Sequence, residues 1–83
     1  MQTDEFRRIG HALVDWIAAY RDGVAARPVW PAVAPGAVRA QLPPEAPEAP
    51  EPFDDLLADL ERVIVPALGH WQHPRFFGYF PAN

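Results

Sequence analysis

His70-Trp71-Gln72-His73-Pro74-Arg75-Phe76-Phe77-Gly78-Tyr79-Phe80-Pro81-Ala82-Asn83 closes the sequence and decides how the rest is read. These fourteen positions hold five of the ten aromatic residues of the chain. Pro74, Gly78 and Pro81 interrupt them, which excludes a long regular helix. Phe76, Phe77, Tyr79 and Phe80 therefore ride on a loop or short strand, each able to bury roughly 150–250 Å². A loop carrying that much apolar surface packs into something larger. The stretch ends at Asn83 with no polar tail and no helix cap, as expected of a segment that continues into a bigger protein.

Working outward, 83 residues allow one small domain, close to the size of roughly 70–80 residues below which chains need staples or partners. There is no Cys, so neither a disulfide nor a thiolate metal site is available, which fits a reducing, cytoplasmic setting. Met1 to Glu5 is polar and acidic, unlike a signal peptide. No apolar run approaches the ~20 residues of a membrane span. The net charge is −4, and all seven basic residues are Arg. Up to Arg27 the charges balance, with Asp4, Glu5, Asp15 and Asp22 set against Arg7, Arg8, Arg21 and Arg27. No basic face exists to follow a phosphate backbone, which argues against nucleic acid.

The spacing predicts an amphipathic helix over 4–25. Phe6, Ile9, Leu13, Trp16, Ile17, Tyr20 and Val24 recur at intervals of three and four along one stripe. Thr3 is the expected N-cap, Asp4 and Glu5 suit the positive end of the helix, and Asp4 pairs with Arg8 one turn on. Gly23 ends the helix or weakens its last turn. Residues 27–52 contain eight prolines and read as an extended, Pro-rich linker, with a turn at Ala34-Pro35-Gly36 and a polyproline-like run from Pro43 to Pro52. A linker this long wraps over another surface. A second helix is expected over 53–65, started by Glu51 or Pro52 and presenting Phe53, Leu56, Leu57, Leu60, Val63 and Ile64. Pro66 breaks it, with a short restart towards Gly69. The fold class is mostly α: two or three helices joined by a Pro-rich extended segment, then the aromatic loop 70–83.

Little here carries chemistry alone. His70-x-x-His73 lacks the carboxylate or thiolate that would complete a zinc site, so both read as structural histidines. No Gly-rich phosphate loop is present. The helical carboxylates alternate with Arg and read as solvated charge, not as an acid/base pair. The aromatic loop reads in two ways, as core at a domain junction or as one wall of a pocket that stacks an aromatic ligand. The helix stripe reads as core or as a subunit contact.

Taken in order, Asp4-Glu5-Phe6-Arg7-Arg8, Asp15-Trp16-Ile17, Val29-Trp30-Pro31 to Pro35-Gly36, Phe53 to Pro66, His70-Trp71 and Pro74-Arg75-Phe76-Phe77-Gly78-Tyr79-Phe80-Pro81 resemble a known family. The chain is similar to the N-terminal segment of the pyridoxal-phosphate-dependent group II amino-acid decarboxylases, in particular those acting on aromatic L-amino acids. The resemblance implies the first part of a fold-type I enzyme of several hundred residues, a lyase of amino-acid metabolism. Its N-terminal helices clasp the second subunit of an obligate homodimer, so Phe6, Ile9, Leu13, Trp16, Ile17 and Tyr20 become dimer contacts. It implies that Trp71, Tyr79, Phe80, Pro81 and Ala82 line the substrate pocket. The position of Ala82 is a substrate-contacting Thr in animal members, and that hydroxyl is missing here. The resemblance also implies pyridoxal 5′-phosphate, held as a Schiff base by a Lys. This chain has no Lys, so its residues are expected to include no catalytic and no cofactor-binding group, the cofactor domain lying beyond Asn83. A stand-alone helical module that self-associates is the competing reading.

Overall fold

The computed structural model describes residues 1–78, and among them all regular structure is helical. The chain divides into two units, one of residues 1–29 together with the segment from His70, the other of residues 30–69.

The first unit is built on α1, Thr3–Gly23. Its 21 residues follow the apolar period read from the sequence, but it starts one residue earlier than expected. Thr3 lies inside the helix, and Gln2 occupies the N-cap in extended conformation without a side-chain hydrogen bond. The Gln2 carbonyl accepts the Phe6 N–H at 3.0 Å, which opens the ladder without help from a hydroxyl. The expected Asp4–Arg8 pair is replaced by two pairs at a spacing of three, Asp4–Arg7 at 3.2 Å and Glu5–Arg8 at 2.8 Å. Hydrogen bonding by Arg8 holds the Glu5 carboxyl below the usual carboxylate range. Both pairs are exposed and contribute little to stability.

Gly23 is the last α-helical residue, but its φ of −98° is right-handed, so it is not a left-handed cap. The chain instead tightens into a 3₁₀ turn, Val24–Ala26, closed by the Arg27 N–H on the Val24 carbonyl at 3.1 Å. Val24 is buried there, whereas α1 buries none of its residues.

The second unit corrects the reading of 27–52 as wholly extended. It contains a short helix, α2, Ala37–Gln41. Gly36 adopts φ 85° and ψ −6°, and the Ala37 N–H closes on the Ala34 carbonyl at 3.1 Å. That is a type II turn with Pro at its first central position and Gly at the second, where a positive φ is required. The turn aims the chain into α2, which Ala40 N–H begins by bonding to the Gly36 carbonyl. Five residues are too few to show a helical period, so α2 left no pattern to read.

Pro52 opens α3, Phe53–Asp59, with its carbonyl accepting from Asp55 and Leu56. The helix expected to run regularly to residue 65 changes geometry well before Pro66. Leu60–Ile64 forms a widened π turn in which the Val65 N–H reaches back five residues to the Leu60 carbonyl. Val65–Ala67 then closes as a 3₁₀ turn. Pro66 cannot donate, and its ring collides with the carbonyl four residues back in a regular helix; widening the preceding turn relieves that collision. Val63 and Val65 are buried, and α2 lies beside the widened turn.

Gly69 meets Trp30 at the end of this unit. A Cβ on Gly69 would stand 2.4 Å from Trp30 Cζ3 and 2.7 Å from Cε3. Gly69→Ala should therefore displace the indole and cost about 1–3 kcal/mol of stability. Thermal unfolding checks this, and a Trp30→Leu background should remove most of the penalty.

Candidate functional site

Sequence-predicted site residues fall in the first unit, and Trp71 is the pocket-wall position that lies within the described residues. Tyr79, Phe80, Pro81 and Ala82 lie outside them.

The aromatic loop begins where the His70 N–H donates to the Val29 carbonyl at 3.0 Å. From there it proceeds as consecutive turns. His73 N–H donates to the His70 carbonyl, and Phe76 N–H to the His73 carbonyl, each at 3.0 Å. The Arg75 N–H also donates to His73 Nδ1 at 2.9 Å, so this imidazole braces its own turn and carries its proton on Nε2 when neutral. Pro74 suits such a turn because the missing N–H is not needed. Trp71 is half exposed and stacks on Phe76, with ring centroids 6.1 Å apart. Phe77 is exposed.

His70 and His73 are buried, at 4 % and 7 % exposure. Nδ1 of each is engaged by the protein, His73 by its turn and His70 by the Tyr20 hydroxyl. Tyr20 stands fifty residues from His70, near the end of α1. Its ring stacks on Trp16 at 5.7 Å and 12° and tilts against His70 at 5.6 Å. The Arg27 guanidinium lies over the same ring, 5.4 Å from its centroid. Burial, then the Arg27 charge, then His73 push the His70 pKa below the ordinary imidazole value. A neutral imidazole hydrogen-bonded to a phenol thus fastens the aromatic loop to the helix.

This is the main feature that sequence reading missed. Trp16 and Tyr20 belong to the stripe that reads as core or subunit contact, and here they are half-buried, Tyr20 bonding the loop through His70. The remaining stripe is more open, with Phe6 69 %, Leu13 36 % and Ile17 44 % exposed and Ile9 half-buried. Val14 and Ala18, not singled out from the sequence, join Ile17, Arg21 and Asp22 around a groove of about 410 Å³. Their spacing of three and four was visible, but it describes a second ridge beside the first.

No group of three or more potential metal ligands occurs among the described residues. No helix among them is long and apolar enough to cross a membrane. A Schiff-base cofactor requires a Lys, and the chain contains none; the covalent anchor of such a cofactor is not among these residues.

Comparison with known proteins fits this geometry. Residues 35–83 match the family model described as the pyridoxal-dependent decarboxylase conserved domain. Aromatic-L-amino-acid decarboxylase of Rattus norvegicus is 49 % identical over 81 residues, covering 98 % of this chain and 17 % of the relative. Tyrosine decarboxylase of Oryza sativa is 49 % identical over 85 residues, covering all of this chain and 16 % of that protein. The structure of Catharanthus roseus tryptophan decarboxylase in complex with L-tryptophan matches with a TM-score of 0.89 at 40 % identity, over 99 % of this chain and 17 % of the other. That of Rhodiola rosea 4-hydroxyphenylacetaldehyde synthase matches with a TM-score of 0.90 at 41 % identity, over 99 % and 18 %. The chain thus spans about a sixth of the length of these relatives and corresponds to their N-terminal part.

Proposed function

This chain belongs to the pyridoxal-dependent decarboxylase family, and we propose that it is the dimer-contact and pocket-wall segment of a homodimeric decarboxylase of aromatic L-amino acids. The enzyme works with pyridoxal 5′-phosphate, which supplies the electron sink for loss of the carboxyl group. The residues of this segment do none of that chemistry. They clasp a second copy through α1 and hold the aromatic loop beside the substrate ring. The absence of Cys supports a cytoplasmic setting.

The observation that carries this reading is the division of labour along α1. One end of its stripe, Trp16 and Tyr20, is spent on fastening the loop through His70. Phe6, Leu13 and Ile17 of the stripe, with Val14 on the ridge beside it, stay exposed on a helix that buries no residue. An exposed apolar ridge of this kind marks a protein contact. The likeness to a synthase as well as to decarboxylases supports a role in architecture and not in choosing the reaction.

The cofactor part has a direct consequence. The 83 residues alone should not hold pyridoxal phosphate as a protonated Schiff base, since the α-amino group of Met1 is their one primary amine. Visible absorption after adding the cofactor checks this. A stoichiometric band that survives blocking of the N-terminus would sink the idea.

The pocket part is tested in a chimaera, with this chain replacing the matching residues of the rat enzyme. Phe80→Ala removes an aromatic contact of about 0.5–1.5 kcal/mol beyond its buried area, so kcat/KM for aromatic substrates should fall several-fold or more. Ala82→Thr should shift preference towards ring-hydroxylated substrates by about 0.5–1.5 kcal/mol, one neutral hydrogen bond. The readout is kcat/KM for tryptophan, phenylalanine, tyrosine and a catechol amino acid. Unchanged ratios in Phe80→Ala would mean that the loop is packing alone.

A further inference from the structure

We propose that the cleft between the Arg27–Val29 segment and the His73–Arg75 turn binds a small organic anion, a carboxylate or phosphate on a compact apolar body. The cleft encloses about 520 Å³, within the range of roughly 300–1,000 Å³ typical of small-molecule pockets. Its polar lining is of one kind. Arg27 and Arg75 bring two guanidinium groups, His73 brings a buried imidazole, and among the described residues no carboxylate lines it. Among the described residues neither Arg27 nor Arg75 pairs with an acid, unlike Arg7, Arg8 and Arg62. This concentration of positive charge occurs in a chain whose net charge is −4.

Arg27 and His73 are restrained by neighbouring groups. The Arg27 guanidinium lies over the Tyr20 ring, its Cζ 5.4 Å from the ring centroid, and that contact restrains the group beside the cleft. His73 Nδ1 is taken by the Arg75 N–H, which leaves Nε2–H as the ring's remaining donor. Pro28, Val29 and Pro74 supply the apolar wall. An amphipathic anion satisfies both halves of the lining, and the cleft holds far more than one side-chain carboxylate would fill. Occupancy would brace the turn that carries Phe76 and Phe77.

Benzoate is the probe, with benzamide as its neutral counterpart and inorganic phosphate as an anion without an apolar body. Calorimetry on the chimaeric holoenzyme reads binding whether or not the chimaera is active, so failure here is separable from failure of the pocket-wall reading. Benzoate should bind without competing with the amino-acid substrate, phosphate more weakly, and benzamide not measurably. Arg75→Gln should weaken benzoate by at least about tenfold, the worth of one charge-assisted hydrogen bond. Arg75→Lys should restore most of that, and KM should stay unchanged in both. Three outcomes overturn the proposal: no benzoate binding, as when a protein carboxylate already fills the cleft; equal binding of benzamide; or benzoate binding that only competes with substrate and ignores Arg75→Gln.

Discussion

At micromolar concentration the 83-residue chain should sediment as a dimer or larger species, and Ile17→Asp should convert it to monomer. α1 presents Phe6, Leu13, Val14 and Ile17 without burying any of its residues. Covering such side chains contributes about 25 cal/mol per Å² of apolar surface, so association is favoured over exposure. Ile17 belongs both to the stripe and to the groove edged by Val14 and Ala18, which puts it at the centre of the ridge. A carboxylate there would enter the interface uncompensated, and an unpaired buried charge costs about 3–5 kcal/mol, on the order of a hundredfold or more in dissociation constant. Asp at Arg21, on the rim, should cost far less. Sedimentation equilibrium across a concentration series measures both. A monomer with a cooperative thermal transition in the unmutated chain would contradict the assignment of α1.

The second large effect concerns Tyr20 and His70. Tyr20→Phe keeps the ring that stacks on Trp16 and lies under Arg27, but leaves Nδ1 of a buried imidazole without its partner. Leaving a buried polar group unsatisfied costs about 1–3 kcal/mol. The same pair predicts a pH dependence. His70 is held neutral in the folded chain, with its pKa below the ordinary 6.5. As pH drops below 6.5, the unfolded chain takes up a proton that the folded chain resists. The contribution of His70 is therefore complete above pH 6.5 and is lost as pH falls towards its folded value. Glu5 acts at lower pH, because its depressed pKa makes its contribution disappear only below 4.5. Denaturant midpoints between pH 5 and 8 should show an acid-side loss that His70→Gln removes. A flat profile in the unmutated protein would show that the imidazole is not constrained.

These two effects also mark what sequence could and could not deliver. The period of α1 was legible because 21 residues repeat it many times. The turn at Pro35-Gly36 was legible because its chemistry is local. α2 was not, since a five-residue helix between prolines spans too few turns for a period to repeat. The chain absorbs Pro66 upstream, by widening at Leu60–Ile64, which no residue pattern announces. Trp16 and Tyr20 fit the stripe so well that nothing local set them apart from Leu13 and Ile17. Tyr20 bonds His70, which is fifty residues away. A polar-tipped aromatic on an apolar stripe, together with a His that no metal site claims, was the available signal.

In the proposed enzyme α1 clasps a second subunit while anchoring the pocket-wall loop. The most direct test of that role removes α1 from the chimaera and measures mass in solution together with kcat/KM for an aromatic amino acid. The intact chimaera should be a dimer that decarboxylates the substrate, and deleting residues 1–26 should yield monomer with no measurable turnover. A shortened chimaera that remains an active dimer would contradict it.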